Sequence, residues 1–199
     1  GNIFWTYFAT ALSSTANTFV NNSSILGKVY FPRLVMPIST VISNLVNLGI
    51  QFVFFLGFLI FYQLTGAQIQ ISAWVMLTPL LILELMLLSL GCGIIISALT
   101  TKYRDLKMLI TFGLQLWQFA SPVAYDMYSF SVFAVGGQFH TLYMLNPITP
   151  IINVFRFAFL GIGEIEWGFF AISWIITIML FFLGVILFSR VEKTFMDTV

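Results

Sequence analysis

The chain has 199 residues, of which 60% are hydrophobic and only 8% charged, with a formal net charge of +1. Soluble domains carry about 25% charged residues, so this composition excludes a water-soluble globular protein. The few basic residues sit between apolar runs and form no basic stripe, which excludes nucleic acid as a partner.

Fifty residues between Arg33 and Glu84 contain no formal charge. A helix needs about 20 apolar residues to cross a hydrocarbon core about 30 Å thick, so that run holds two crossings. Within lipid every backbone polar group must be paired internally, which leaves helices or a closed barrel. Gln51–Phe61 (QFVFFLGFLIF) is apolar on every side rather than alternating, which selects helix over barrel strand.

The first segment covers Ile3 to Val20. Thr6, Thr10, Ser13 and Asn17 are spaced by four, three and four, which places them on one helical stripe. Asn21-Asn22-Ser23-Ser24 breaks the run with helix-capping residue types. The stretch Ile25–Phe31, closed by Pro32, is too short to span and carries Lys28 and Arg33 at its edges. It reads as an amphipathic interfacial helix or as a docking helix for a cytoplasmic subunit. Tyr30, Phe31 and Arg33 are of the types that dominate interfaces.

The second segment covers Pro37 to Leu64, with a proline suited to a first helical turn. Thr40, Asn44, Asn47 and Gln51 repeat the four-three-four spacing on it. Both stripes could line a wet pathway or act as glue between helices. The third segment covers Trp74 to Leu99 and contains Glu84. An intramembrane acid costs a few kcal/mol or more when ionised toward lipid, so Glu84 either lines a transport path or is a neutral acid bonded to a neighbouring helix. Cys92, the single cysteine, lies between two glycines and reads as a small packing residue.

A charged loop with Tyr103, Arg104 and Asp105 precedes the fourth segment, Met108 to Tyr125. Trp117, Phe119, Tyr125 and Tyr128 cluster at its far half and are candidates for stacking on sugar rings. The region 126–166 is broken by Gly136-Gly137, Asn146-Pro147 and Pro150. Its most apolar piece, Ile151–Ile162, has twelve residues, a length that fits a re-entrant segment better than a span. The fifth span covers Trp167 to Phe188, and a charged tail, Arg190 to Val199, follows.

Basic residues gather on the cytoplasmic side of membrane proteins. With five spans and a non-crossing 126–166 region, seven of the eight basic residues share one face, and Arg156 alone lies opposite. Trp5, Trp74 and Trp167 then stand near the outer interface. The chain is expected to be one membrane domain, 1–199. It begins with Gly rather than Met, so a preceding N-terminal part is expected.

No catalytic pattern emerges. His140 is the only histidine and has no evident partner in sequence, and no phosphate-binding loop of the G-x-x-x-x-G-K-[ST] type occurs. ATP-driven action therefore requires a partner, and no cofactor or metal is expected on this chain itself.

Leu26-Gly27-Lys28-Val29-Tyr30-Phe31-Pro32-Arg33 followed by Met36-Pro37-Ile38-Ser39 resembles the signature of type-2 ABC exporter permeases that move polysaccharides. These include the O-antigen, capsule and teichoic acid exporters. Tyr103-Arg104-Asp105, Asn146-Pro147 through Phe155-Arg156, and Arg190-Val191-Glu192-Lys193 with Phe195 and Asp197 match further pieces in order. The resemblance implies an all-α polytopic helix bundle in the bacterial inner membrane, with six spans per subunit and five present here. It implies a homodimer with two separate ATPases that bind ATP and Mg. Leu26 to Arg33 would be the cytoplasmic coupling helix, and 126–166 would hold an outer re-entrant hairpin. A lipid-linked glycan would pass through a channel between the copies.

Candidate lining residues are Thr10, Asn17, Asn44, Asn47, Gln51, Glu84, Trp117 and Tyr125. The same family exporting a drug or lipid, a secondary transporter or channel, and a membrane-embedded enzyme using His140 are the competing readings.

Overall fold

The computed structural model describes residues 1–18, 34–66, 71–102, 106–125, 137 and 139–196. Seven α-helices follow in order: α1 (Asn2–Ala16), α2 (Val35–Leu64), α3 (Thr78–Lys102), α4 (Leu106–Phe119), α5 (His140–Met144), α6 (Ile148–Leu160) and α7 (Trp167–Met196). A 3₁₀ turn, Ala73–Leu77, leads into α3. The described residues contain no strand, so the protein is the all-α membrane bundle that the apolar runs predict. The Leu26–Arg33 segment and Tyr103-Arg104-Asp105 lie outside the described residues.

Among the described residues, three helices are long and apolar enough to cross a membrane: Val35–Leu64, Ala73–Thr100 and Trp167–Ser189. These are the second, third and fifth expected spans. The other two expected spans hold α1, 15 residues, and α4, 14 residues, within the described part of the chain. The end of α4 has a clear cause. Pro122 cannot continue the helix, and it disfavours helical geometry at Ser121. The chain accordingly turns there, with Ser121 N bonded to Gln118 O and Val123 N to Ser121 O. The regular part of α1 closes at Ala16, and the Asn17 amide then folds back onto the Ser13 carbonyl at 2.8 Å.

Helix α3 is the most buried of the three long helices, and Gly-Cys-Gly explains how it sits between two neighbours. A methyl group on Gly91 would stand 2.8 Å from the backbone of Phe181 on α7. One on Gly93 would stand 2.6 Å from the Thr15 side chain on α1. Two positions on a helix are about 200° apart, so the two glycines open opposite faces of α3. Cys92, between them, is a partly exposed free thiol. Thr100 Oγ1 also donates to Ala16 O at 3.3 Å, and Tyr7 on α1 donates to Val41 O on α2 at 3.2 Å.

Along α3 and α7, Glu84 meets Ser173 and Gly91 meets Gly184. Later residues meet later residues, so the two helices run in the same direction. Their starts are level, with the Trp74 and Trp167 rings 5.0 Å apart and both about half exposed, as interfacial anchors are. Two parallel spans need one crossing between them. Helix α4 leads away from the end of α3, and 139–166 returns to the side where it began.

That return is a re-entrant hairpin. His140 pairs with Glu166, just ahead of α7, at 3.0 Å. Pro147 meets Ser173, seven residues further along and about 10 Å deeper. Helix α6 then rises until Ala158 O accepts from Ser72 N at 3.0 Å, near the start of α3. Gly161, at φ +67°, closes α6 in the left-handed conformation that favours glycine. Trp5 differs from its expected role. It is 4% exposed and packs on Phe8 and Trp117, so it is an internal aromatic and not a lipid anchor.

Candidate functional site

Helix α1 is flanked by two grooves lined with polar groups. One, of about 200 Å³, lies between α1 and α2 and is lined by Thr6, Thr10, Asn44, Asn47 and Gln51. Thr6 and Thr10 of the stripe on the first segment thus face Asn44, Asn47 and Gln51 of the second, while Ser13 borders the other groove and Thr40 borders neither. The second groove, of about 360 Å³, lies between α1 and α4. Its polar lining is Thr10, Ser13, Ser14, Thr111, Gln115 and Gln118. Thr10 borders both grooves.

The α4 contribution was missed by the sequence reading, although the signal was there. Thr111, Gln115 and Gln118 are spaced by four and three, as in the other two stripes. Three helices therefore turn polar faces to one flank of the molecule.

The electrostatics of this flank follow from what its amides bond to. Asn44 donates to Thr40 O at 2.9 Å and is satisfied within its own helix. Asn17 does the same with Ser13 and lines neither groove. Asn47, Gln51, Gln115 and Gln118 have no protein partner among the described residues. An amide moved from water to hydrocarbon without a partner costs about 4–8 kcal/mol. Four such side chains cannot face lipid, so this flank meets water or protein. Val46 and Val53, about 100–120° around α2 from Asn47, are apolar and at least 66% exposed and suit lipid, whereas Phe54, Phe58 and Phe61 continue the face of Asn47 and Gln51 toward the helix end.

The remaining candidate residues are placed elsewhere. Glu84 is fully buried between α3 and α7. Trp117 packs edge-on against Phe8 and donates from Nε1 to Asn146 Oδ1 at 3.1 Å. Tyr125 has its hydroxyl against that of Tyr143, and its carbonyl accepts from the Arg156 guanidinium at 2.7 Å. Arg156 also bonds to Val123 O at 3.2 Å. These three aromatic and polar positions hold the outer end of the bundle together and line neither groove.

Long apolar helices with one polar flank define a multi-pass integral membrane protein. No protein-family model matches the chain. It is 24% identical, over 97% of its length and 71% of the relative's, to the O-antigen export system permease protein RfbA of Klebsiella pneumoniae. A protein of the same name from Myxococcus xanthus is 29% identical over 80% of this chain and 58% of its own length. The inner membrane transport permease YadH of Escherichia coli K12 is 28% identical over 77% of this chain and 61% of its own. Similarity along nearly the whole chain supports the resemblance to type-2 ABC permeases of polysaccharide export that the motifs carry.

Proposed function

We propose that this chain is the membrane-spanning permease subunit of an ATP-driven exporter in the bacterial inner membrane. Its cargo is a lipid-linked polysaccharide, and the conduit forms where two copies bring their polar flanks together. A separate nucleotide-binding subunit binds ATP and Mg and hydrolyses the nucleotide. The segment Leu26–Arg33 is the proposed contact with it, through Lys28, Tyr30, Phe31 and Arg33. Tyr103-Arg104-Asp105 is assigned to the same cytoplasmic side.

The observation that carries this reading is the polar flank of α1, α2 and α4. A polysaccharide is a hydrated, hydroxyl-rich chain. Thr10, Asn47, Gln51, Gln115 and Gln118 offer both donors and acceptors to it, and they do so without a fixed charge. A secondary transporter would need ion-coupling residues on the path, and the one intramembrane acid described here, Glu84, is turned away from both grooves.

The test is export in cells that depend on this protein, with surface glycan measured. Asn47→Leu and Gln115→Leu keep side-chain volume and remove the polar edge. Both variants should accumulate normally and export several-fold less. Unchanged export in both would sink the conduit. Copurification from native membranes tests the partner: an ATPase should accompany the protein and be lost on charge reversal at Lys28 and Arg33. A preparation free of ATPase, from membranes that still export, would refute the ATP-driven reading.

A further inference from the structure

The tip of the α5–α6 hairpin is the one place in the described fold where irregular backbone reaches into the helix bundle, about 10 Å below the Glu166 level. Such backbone persists at membrane depth only where protein satisfies it. Asn146 does so on one side. Its Oδ1 accepts from Trp117 Nε1 and from Ile148 N at 3.3 Å, and its Nδ2 donates to Ser121 Oγ at 2.8 Å. The next residue is held on the other side. Ser173 Oγ lies 2.8 Å from the Pro147 carbonyl oxygen and 2.5 Å from Glu84 Oε1.

Proton counting decides what this chain of contacts is. Ser173 has one hydroxyl proton and two oxygen neighbours. The Pro147 carbonyl can only accept, so the serine proton belongs there. The contact between Ser173 and Glu84 then needs a proton from the carboxyl group. The remaining oxygen, Glu84 Oε2, is buried with no partner. A buried ionised carboxylate with at most one hydrogen bond from the protein is the costly alternative. A neutral acid leaves only a carbonyl-type oxygen unpaired.

We infer that Glu84 is held as the neutral acid and is the positioning residue for the outer hairpin. Its O–H donates to Ser173, whose O–H donates to Pro147, so that one buried proton relay ties α3 and α7 to the hairpin tip. Glu84 touches no cargo. It sets the depth at which α6 starts. The inference does not depend on the identity of the exported molecule.

The test uses the native protein in lipid nanodiscs and two readouts that do not involve transport. Infrared difference spectra at pH 7 between wild type and Glu84→Gln should contain the C=O band of a protonated carboxyl group. That band should shift in Ser173→Ala. A difference spectrum with only carboxylate bands would overturn the neutral acid. Hydrogen exchange then reads the positioning. The amides of Ile148, Thr149, Ile151 and Ile152 should exchange about tenfold faster in Ser173→Ala and Glu84→Ala, with α1 unchanged. Glu84→Gln should restore wild-type protection, because its amide N–H can donate to Ser173 in place of the acid. Unchanged exchange at Ile148, Thr149, Ile151 and Ile152 in folded Ser173→Ala would overturn the positioning role, and so would failure of Glu84→Gln to restore protection.

Discussion

Gly91 and Gly184 meet backbone to backbone where α3 lies against α7. A methyl group on Gly184 would stand 2.8 Å from Gly91 O. Neither helix has a flexible side chain there that could move aside. Gly91→Ala and Gly184→Ala should therefore each lower stability by about 1–3 kcal/mol, the usual range for overpacking a tight contact. The measurement is the midpoint of thermal unfolding in detergent. Gly49→Ala on α2, where a methyl group meets nothing within 4 Å, is the control and should not lower the midpoint, since alanine favours a helix interior over glycine by about 1 kcal/mol.

Asn146 bonds to Trp117, Ser121 and its own helix start. Asn146→Ala should cost about 1–3 kcal/mol, because it strands a partly buried indole N–H. Trp117→Phe removes that donor. The double variant should then lose less than the sum of the two single ones, a coupling that a double-mutant cycle measures directly. Strict additivity would show that the 3.1 Å bond contributes nothing.

Reactivity with a water-soluble, membrane-impermeant maleimide distinguishes a wet flank from a dry packing surface. In a Cys92→Ser background, Thr10→Cys, Asn47→Cys and Gln115→Cys should label. Val46→Cys and Val53→Cys, exposed and apolar and about 100–120° around α2 from Asn47, should not. Silence at the three polar positions would place them in a protein–protein contact and favour the glue reading of the stripes.

Gly161 ends α6 with φ +67°. An L side chain in that region costs about 1–2 kcal/mol. Gly161→Ala should lower the unfolding midpoint by a corresponding amount, whereas Gly113→Ala, helical and with open space around it, should not.

Much of this arrangement was legible before any coordinates. Apolar runs all around the helix marked α2, α3 and α7, because length and hydropathy depend only on local sequence. The four-three-four spacing marked Thr6 and Thr10 on α1 and Asn44, Asn47 and Gln51 on α2, which line the smaller groove, but it did not separate them from Ser13, on the other groove, or from Asn17 and Thr40, on neither. The same spacing on α4 was readable but was overshadowed by the aromatic residues around it. Pro122 was also readable as the stop of α4, and an apolar count that runs through proline overstates the helix.

Other features depend on contacts that no local pattern encodes. Ser173 is 89 positions from Glu84, so the partner of the buried acid was invisible. Trp5 was legible as aromatic but not as buried, because a tryptophan suits an interface and a core equally well. Gly91 and Gly93 were visible only as small neighbours of Cys92, since which helix each would admit is a property of the assembled bundle.

The Gly-Cys-Gly step on α3 has a mechanical consequence. With a neighbour seated directly on its backbone on two opposite faces, α3 cannot slide or tilt against α1 or α7 without opening voids on both sides at once. The three helices behave as a keel. Apart from Gly184, which faces Gly91, the other described helical glycines, Gly49 and Gly57 on α2, Gly113 on α4 and Gly168 in the first turn of α7, meet nothing within 4 Å. The lock between the three helices is thus confined to the Gly91–Gly93 level of α3.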